Sequence, residues 1–320
     1  MAPPPRQAII ADRRSRRCGR RALLQPRLRR TVTPLLIAGP TASGKSALAL
    51  AAAERDRGMV INADALQVYA GLRILTARPS PEDEARAPHR LYGHVAPGER
   101  YSVGSWLADV AGALAEAEAA GLRPIIVGGT GLYFRALTQG LAPVPPVPPE
   151  IRERWKARAE GVATGDLHRL LAGRSASEAA RLRPTDRARI LRALEVLDAT
   201  GRPLPEWQAL AARPLIDPAA AERIVIAPDR AELHRRIAQR FQGMIDAGAL
   251  NEARAIAALG LDPALPAMKA LGLRPLLRHL AGALSLDEAI ARGIAETRQY
   301  AKRQETWFRH QMADWPRRSA

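Results

Sequence analysis

The chain of 320 residues holds a single cysteine, Cys18. That excludes an internal disulfide and any cysteine-rich metal site, and it suits a reducing, cytoplasmic setting. No run of about 18 apolar residues occurs, so neither a membrane span nor a membrane partner is expected. Acidic residues are scarce beside basic ones, 32 against 49, which gives a net charge of +17. Residues 1–33 hold ten arginines and one acid, Asp12, and carry +9 of that charge, leaving +8 to the rest. They lack the apolar core and cleavage site of a signal peptide and read as a disordered basic tail. A body still so basic fits a polyanionic partner, while a G+C-rich genome, which favours Arg, Ala and Pro, gives the same excess. Internal repeats are also missing. What is present in ordinary amount is apolar residue, 47% of the chain, enough for a sizeable core or for a core with a second domain inserted.

The sharpest motif is Gly39-Pro40-Thr41-Ala42-Ser43-Gly44-Lys45-Ser46, which fits G-x-x-x-x-G-K-[ST]. The apolar run Leu35–Ala38 precedes it, and an Ala- and Leu-rich helical run, Ser46 to Glu54, follows. That is the strand–loop–helix context of a phosphate-binding loop. Gly39 and Gly44 let backbone N–H groups turn inward, and the helix adds its positive end. Thr41, Ala42 and Ser43 complete the cradle. Lys45 is placed to neutralise phosphate oxygens, and the Ser46 hydroxyl to meet Mg²⁺. The loop announces a bound di- or triphosphate without saying which.

Further along, Met59–Asn62 reads as a second buried strand with Asp64 just past its end. Ser105 to Ala120 reads as a helix closed by Gly121. Pro124–Val127 reads as a third strand running into Gly128-Gly129-Thr130-Gly131, and a helix resumes over Leu132–Thr138. Such alternation implies a parallel sheet covered on both faces. The proline run at 143–149 is a stiff connector. Only helical patterns follow as far as Ala212, then a strand at Ile224–Ala227, then mostly helix from Ala231 to the end. The expected fold is therefore α/β, a P-loop NTPase-like parallel core with an inserted all-helical domain. Residues 34–144 form the first part of the core, 145–213 the insertion and 214–320 the second part of the core.

The phosphate loop, Asp64 and Gly128-Gly129-Thr130 converge on the C-terminal edge of this sheet, where open α/β sheets bind ligands. Asp64 is either a carboxylate aimed at a substrate amine or hydroxyl or the acceptor of a local Asx turn. Thr130 is either a site hydroxyl or an ordinary N-cap. Arg236 and Arg240 stand four apart on one helical face, as a phosphate clamp or a solvated pair. The terminal run Lys302–His310 interleaves basic and aromatic groups, which suits RNA, although Trp307 also fits a core position.

Taken together the chain resembles the tRNA dimethylallyltransferases. The resemblance runs from Pro34 to about Trp315 through ordered motifs: GPTASGKS at 39–46, INADALQVYAGLRILTARP at 61–79, PHRLYGHV at 88–95, PIIVGGTGLYFRAL at 124–137, RILRALEV at 189–196, QRFQGMIDAG at 239–248, LGLR at 271–274 and TRQYAKRQETWFRH at 297–310. It implies transfer of a dimethylallyl group from dimethylallyl diphosphate to N6 of adenosine 37, next to the anticodon of tRNA. It also implies an insertion that grips the anticodon stem-loop. Asp64, Lys45, Thr130 and Arg240 would be catalytic, Mg²⁺ would sit on Ser46, and Arg240 would join the loop on the diphosphate. The RNA would meet Asp64, Ala65, Leu66, Gln67, Thr130, Arg152, Arg189, Arg192, Gly272, Arg274, Lys302, Arg303, Trp307 and Arg309. A monomer is expected. The chain departs from the family where Ala65-Leu66 replaces the usual Ser-Arg, Leu75 a Gly and Leu273 a Tyr. Three rivals share parts of the pattern. An adenylate isopentenyltransferase needs no RNA grip, a small-molecule kinase needs a Walker-B aspartate not evident here, and an RNA-binding protein with a relic loop has no use for Lys45 and Asp64.

Overall fold

The computed structural model describes residues 32–210 and 212–319. All but the last two residues of the basic tail, 1–33, lie outside that range. Six strands, β1 (Leu35–Ala38), β2 (Gly58–Asn62), β3 (His89–Arg90), β4 (Arg123–Gly128), β5 (Glu222–Ile226) and β6 (Arg317–Arg318), make one sheet ordered β3-β2-β4-β1-β5-β6. Every pairing is parallel. Four helices accompany the first half: α1 (Lys45–Asp56), α2 (Pro81–Arg86), α3 (Val103–Ala120) and α4 (Gly131–Gln139). Five lie between β4 and β5: α5 (Pro149–Ala159), α6 (Thr164–Arg174), α7 (Ala176–Ala179), α8 (Arg187–Thr200) and α9 (Leu204–Gln208). After β5 come α10 (Arg230–Asp246), α11 (Ala249–Ala258), α12 (Leu273–Leu280) and α13 (Leu286–Gln311).

The central strands β1, β2 and β4, and the second half of β5, are largely apolar because both faces of the sheet are covered there. Leu36, Ile61, Ile126 and Val225 pack under Trp106 of α3, Phe134 of α4 and Phe308 of α13. Their neighbours Ile37, Val60, Ile125 and Ile224 pack under Ala49, Leu50 and Ala53 of α1. Small side chains on α1 let that helix lie close to the sheet. A separate apolar cluster, Trp155, Leu167, Leu171, Ile190 and Leu194, holds α5, α6 and α8 together. Another joins α10–α13 to the segment 68–75.

After Ala231 the chain is mostly helical, as the pattern implies, and Arg317–Arg318 adds a short strand to the sheet beside β5. One boundary needs correction. Pro149 belongs to the first turn of α5 rather than to the connector, a position that suits proline since the first-turn N–H groups have no helical partner. The edge strands β3 and β6, two residues each, are too short and too polar to leave a periodic signal.

Candidate active site

The pairing order places the C-terminal ends of β2, β4 and β1 side by side. Ala38 is in register with Gly128, and Asn62 with Val127. The phosphate loop, the Asp64 turn and the Gly128-Gly129-Thr130 corner therefore meet at one edge, as the sequence pattern requires.

The loop is shaped by two left-handed residues, Ala42 (φ 63°) and Gly44 (φ 86°). Gly39 is needed for space: a Cβ there would stand 2.8 Å from Ser43 Oγ. Ser43 is fully buried, and its hydroxyl has no partner among the described residues. Helix α1 begins without a side-chain cap and without an acid in its first turn, so its free N–H groups and positive end face the loop unopposed. In front lies a cavity of about 550 Å³ lined by residues 42–47, Ala77, Arg236, Gln239 and Arg240.

Lys45 is half-buried and donates to the Pro40 carbonyl at 3.1 Å. Burial lowers its pKa to about 8; Asp64 opposes that shift and Arg240 adds to it. Arg240 is lowered to about 10 by burial, again opposed by Asp64, and it donates to Thr41 Oγ1. Arg236 instead pairs with Glu232 at 2.6 Å, so the two arginines of this face differ in role.

The Lys45 shift has a direct consequence. The folded chain holds fewer protons than the unfolded chain between about pH 8 and the ordinary lysine value of 10.5. The charge therefore costs the free protein stability below that window, and the cost fades as pH rises through it. A diphosphate at the loop would reverse the preference. At pH 8 its binding is expected to take up about half a proton, since a group at its pKa is half protonated. Calorimetry of the binding of a diphosphate ester in two buffers of different ionisation heat measures this uptake. Equal heats in the two buffers would contradict it.

Asp64 is held by a buried asparagine. Asn62 Oδ1 accepts from the Asp64 N–H at 2.8 Å, and Asn62 Nδ2 donates to the carbonyls of Asp64 and Leu91, both at 3.0 Å. Trp106 Nε1 donates to the Asn62 carbonyl at 2.8 Å. Asp64 Oδ1 accepts from the Leu66 N–H at 3.0 Å, an Asx turn. Its Oδ2 takes no hydrogen bond among the described residues. The local turn and an active carboxylate are therefore compatible, one oxygen for each. Thr130 does not cap α4 with its side chain. Its Oγ1 accepts from the Ala65 N–H at 2.9 Å. The phenols of Tyr92, Tyr133 and Tyr300 are all raised in pKa, first by burial and then by the charge of Asp64. They therefore stay neutral at working pH. A small pocket is lined by Thr41, Asp64, Leu66, Leu75, Arg240, Phe241, Met244 and, of these phenols, Tyr300 alone.

A cleft of about 1000 Å³ lies between α13 and the helices that follow the proline run. It is lined by Arg135, Arg181, Arg183, Arg189, Arg192, Lys302, Arg303 and Trp307, with one acid, Glu178. Arg189 leans on Asp186 at 3.4 Å and Arg192 on Glu195 at 3.8 Å. Lys302 and Arg303 make no ion pair among the described residues. Trp307 serves both surfaces named for it: it lines the cleft, and its ring lies against Gly131, where a Cβ would meet it at 2.1 Å.

Other candidate residues stand apart from the cleft lining. Arg152 is half-buried on α5, and Arg309 is exposed on α13. Arg274 lines a second cavity of about 260 Å³ with Lys269 and Arg303. Gly272 is fixed by packing: its φ is +79° and a Cβ would strike Phe241 at 2.4 Å. The Gln67 amide donates to the Thr76 and Ala77 carbonyls, both at 2.9 Å, and Ala65 packs against the core. Sequence reasoning missed Asn62, Gln304 and the tyrosines. A buried polar residue at a strand end, Asn62, was the one signal available.

The family model described as IPP transferase matches residues 67–311. The chain is 56% identical to the tRNA dimethylallyltransferase of Azorhizobium caulinodans over 283 residues, 88% of this chain and 91% of that one. It is 56% identical to that of Nitrobacter hamburgensis over 281 residues, 88% and 89% of the two chains. Among solved structures it is similar to the tRNA isopentenylpyrophosphate transferase of Bacillus halodurans, with a TM-score of 0.64, 29% identity and 90% of each chain covered. A eukaryotic dimethylallyltransferase acting on tRNA shares the fold, with a TM-score of 0.72 at 24% identity over 86% of this chain and 69% of that one.

Proposed function

We propose a mechanism that proceeds from one premise: this chain belongs to the IPP transferase family, the tRNA dimethylallyltransferases. It transfers a dimethylallyl group from dimethylallyl diphosphate to N6 of adenosine 37 in tRNA. The observation that carries this reading is the meeting of a phosphate loop and a half-free carboxylate at one sheet edge, close to a basic cleft.

The exocyclic amine of adenine is a weak nucleophile, because its lone pair is delocalised into the ring. Asp64 Oδ2 accepts its N–H hydrogen bond and takes the proton as the new N–C bond forms. The C–O bond of the donor breaks, and the electron pair leaves with the diphosphate. Loop N–H groups, Lys45 and Arg240 hold that growing negative charge. The allylic carbon tolerates positive charge, so stabilising the leaving group matters as much as the push from the amine. Thr130 keeps the Ala65 turn, and with it Asp64, in place. The base reaches this edge only when unstacked, so it must flip out of the anticodon loop.

The residues present fit Mg²⁺. The exposed Ser46 hydroxyl starts α1 beside the cradle, and among the described residues no cluster of three or more His, Cys, Asp or Glu side chains offers a protein-only cage. An ion held by Ser46 and the donor's own oxygens is the usual manner of Mg²⁺, and it would add charge stabilisation to the leaving group. Among the described residues no helix is long and apolar enough to cross a membrane. A cytoplasmic monomer accords with this reading.

The basic lining of the cleft supports a reading in which the RNA binds there. Changing Arg189, Lys302 and Arg303 together to alanine is expected to lower the slope of log affinity against log salt by about 2, at roughly 0.7 per phosphate contact removed on a single-stranded loop. Donor affinity should hold, since the diphosphate sits on the separate loop. An unchanged slope would place the RNA elsewhere. The reaction itself is tested by mass spectrometry of tRNA nucleosides from cells with and without the gene. N6-dimethylallyladenosine should vanish with the gene, and its persistence would refute the assignment.

A further inference from the structure

Helix α13 carries a glutamine whose two amide groups are both engaged across the fold. Gln304 is 5% exposed. Its Oε1 accepts from the Thr41 N–H at 2.9 Å, and its Nε2 donates to the Gly129 carbonyl at 2.8 Å. The buried face of α13 is otherwise built of Ala289, Gly293, Thr297, Ala301 and Phe308. A long polar amide is placed there only where the phosphate loop and the end of β4 face each other. Gly129 is shaped by this contact, since a Cβ on it would lie 2.2 Å from Gln304 Nε2.

Each partner leads directly into the chemistry. Thr41 Oγ1 receives Arg240. Thr130, next to Gly129, receives the Ala65 N–H, and Ala65 follows Asp64. A hydrogen-bonded path therefore runs from the leaving-group arginine, through Gln304, to the turn that carries the carboxylate. The Thr41 N–H, directed to Gln304, is one loop donor not turned to the phosphates.

We propose that Gln304 is a positioning residue for transfer, fixing the separation between the diphosphate cradle and the Asp64 edge without touching either substrate. The inference rests on the transfer reading of the site. Misplacing reacting groups by about 1 Å costs a rate of order 100-fold, so a single spacer between the two halves of the site has leverage.

Gln304→Glu keeps the length and still accepts from Thr41, but its ionised form sets a carboxylate against the Gly129 carbonyl. The introduced carboxyl, buried beside a carbonyl, is pushed up in pKa and regains a donor when protonated. Single-turnover transfer from dimethylallyl diphosphate to a tRNA transcript is expected to slow by about 10–100-fold at pH 8. Relative to wild type the defect should shrink to less than about fivefold toward pH 6. Gln304→Met fills the space with neither bond and should slow transfer by about 10–100-fold at every pH. Both variants should bind donor and tRNA within about threefold of wild type, because a positioning defect lies in the chemical step.

A folded variant with the wild-type rate would overturn the proposal. So would a loss confined to donor or tRNA affinity, or a glutamate variant equally slow at every pH, the mark of a general packing defect. Should the glutamate variant fail to fold, the methionine variant decides by its split between rate and affinity. Wild-type protein that transfers nothing would remove the reading of the site itself. Active wild type with unaffected variants removes only the role of Gln304.

Discussion

Asp64→Asn is expected to lower the single-turnover rate of transfer by about 10²–10⁴-fold, the range for loss of a general acid–base group. The substitution is nearly isosteric. Its carbonyl can still accept from the Leu66 N–H, which lies 3.0 Å from Oδ1 in the native chain, and the backbone clamps from Asn62 and Thr130 are untouched. The fold and the pocket should survive, so thermal unfolding and affinity for tRNA and donor should match wild type closely. What disappears is the ability to take a proton from the amine. Rapid-quench measurement of one turnover with both substrates saturating isolates that step. A rate within a few-fold of wild type would reduce Asp64 to the Asx turn that its Oδ1 already makes.

Lys45→Ala removes the cation nearest the start of α1. In the free protein that ammonium reaches the Pro40 carbonyl at 3.1 Å and is partly desolvated, so little stability depends on it. On the diphosphate it makes charge-assisted hydrogen bonds worth about 1.5–3 kcal/mol each. Removing two of them corresponds to a fall of about 10²–10⁴-fold in kcat/KM. Part of the loss should persist at saturating donor, since the charge on the leaving diphosphate grows only as the C–O bond breaks. Lys45→Arg is not expected to rescue it, because a planar guanidinium does not fit a cradle built around a compact ammonium. A normal single-turnover rate at saturating donor would confine Lys45 to binding.

The parts of this fold that were legible in the sequence are those where local chemistry and tertiary role agree. β1, β2, β4 and β5 each contain an apolar run because the sheet is buried on both faces. The loop at 39–46 and the connector that runs from 143 to 148 announce themselves through glycine and proline. Helix ends were less legible: α3 begins at Val103 behind the Ser102 cap rather than at Ser105, and α10 begins at Arg230 behind Asp229. β3 and β6 draw their stability from neighbours, not from their own two residues.

The same holds at the site. Lys45, Asp64 and Arg240 belong to recognisable local patterns, and the structure brings their charges within mutual influence. Gln304 was invisible because its meaning lies in partners 263 and 175 residues away. Asn62 looked like the last residue of a strand, and only its four hydrogen bonds show it to be the support of Asp64.

The most direct test of the central claim is reconstitution with purified protein, dimethylallyl diphosphate, Mg²⁺ and an unmodified tRNA transcript, followed by nuclease mapping and mass spectrometry. The account predicts one C5H8 unit added at N6 of adenosine 37, with one diphosphate released per transfer, and no addition to a transcript bearing guanosine there. Prenylation of free AMP with the tRNA left unmodified, or cleavage of ATP in place of transfer, would contradict it.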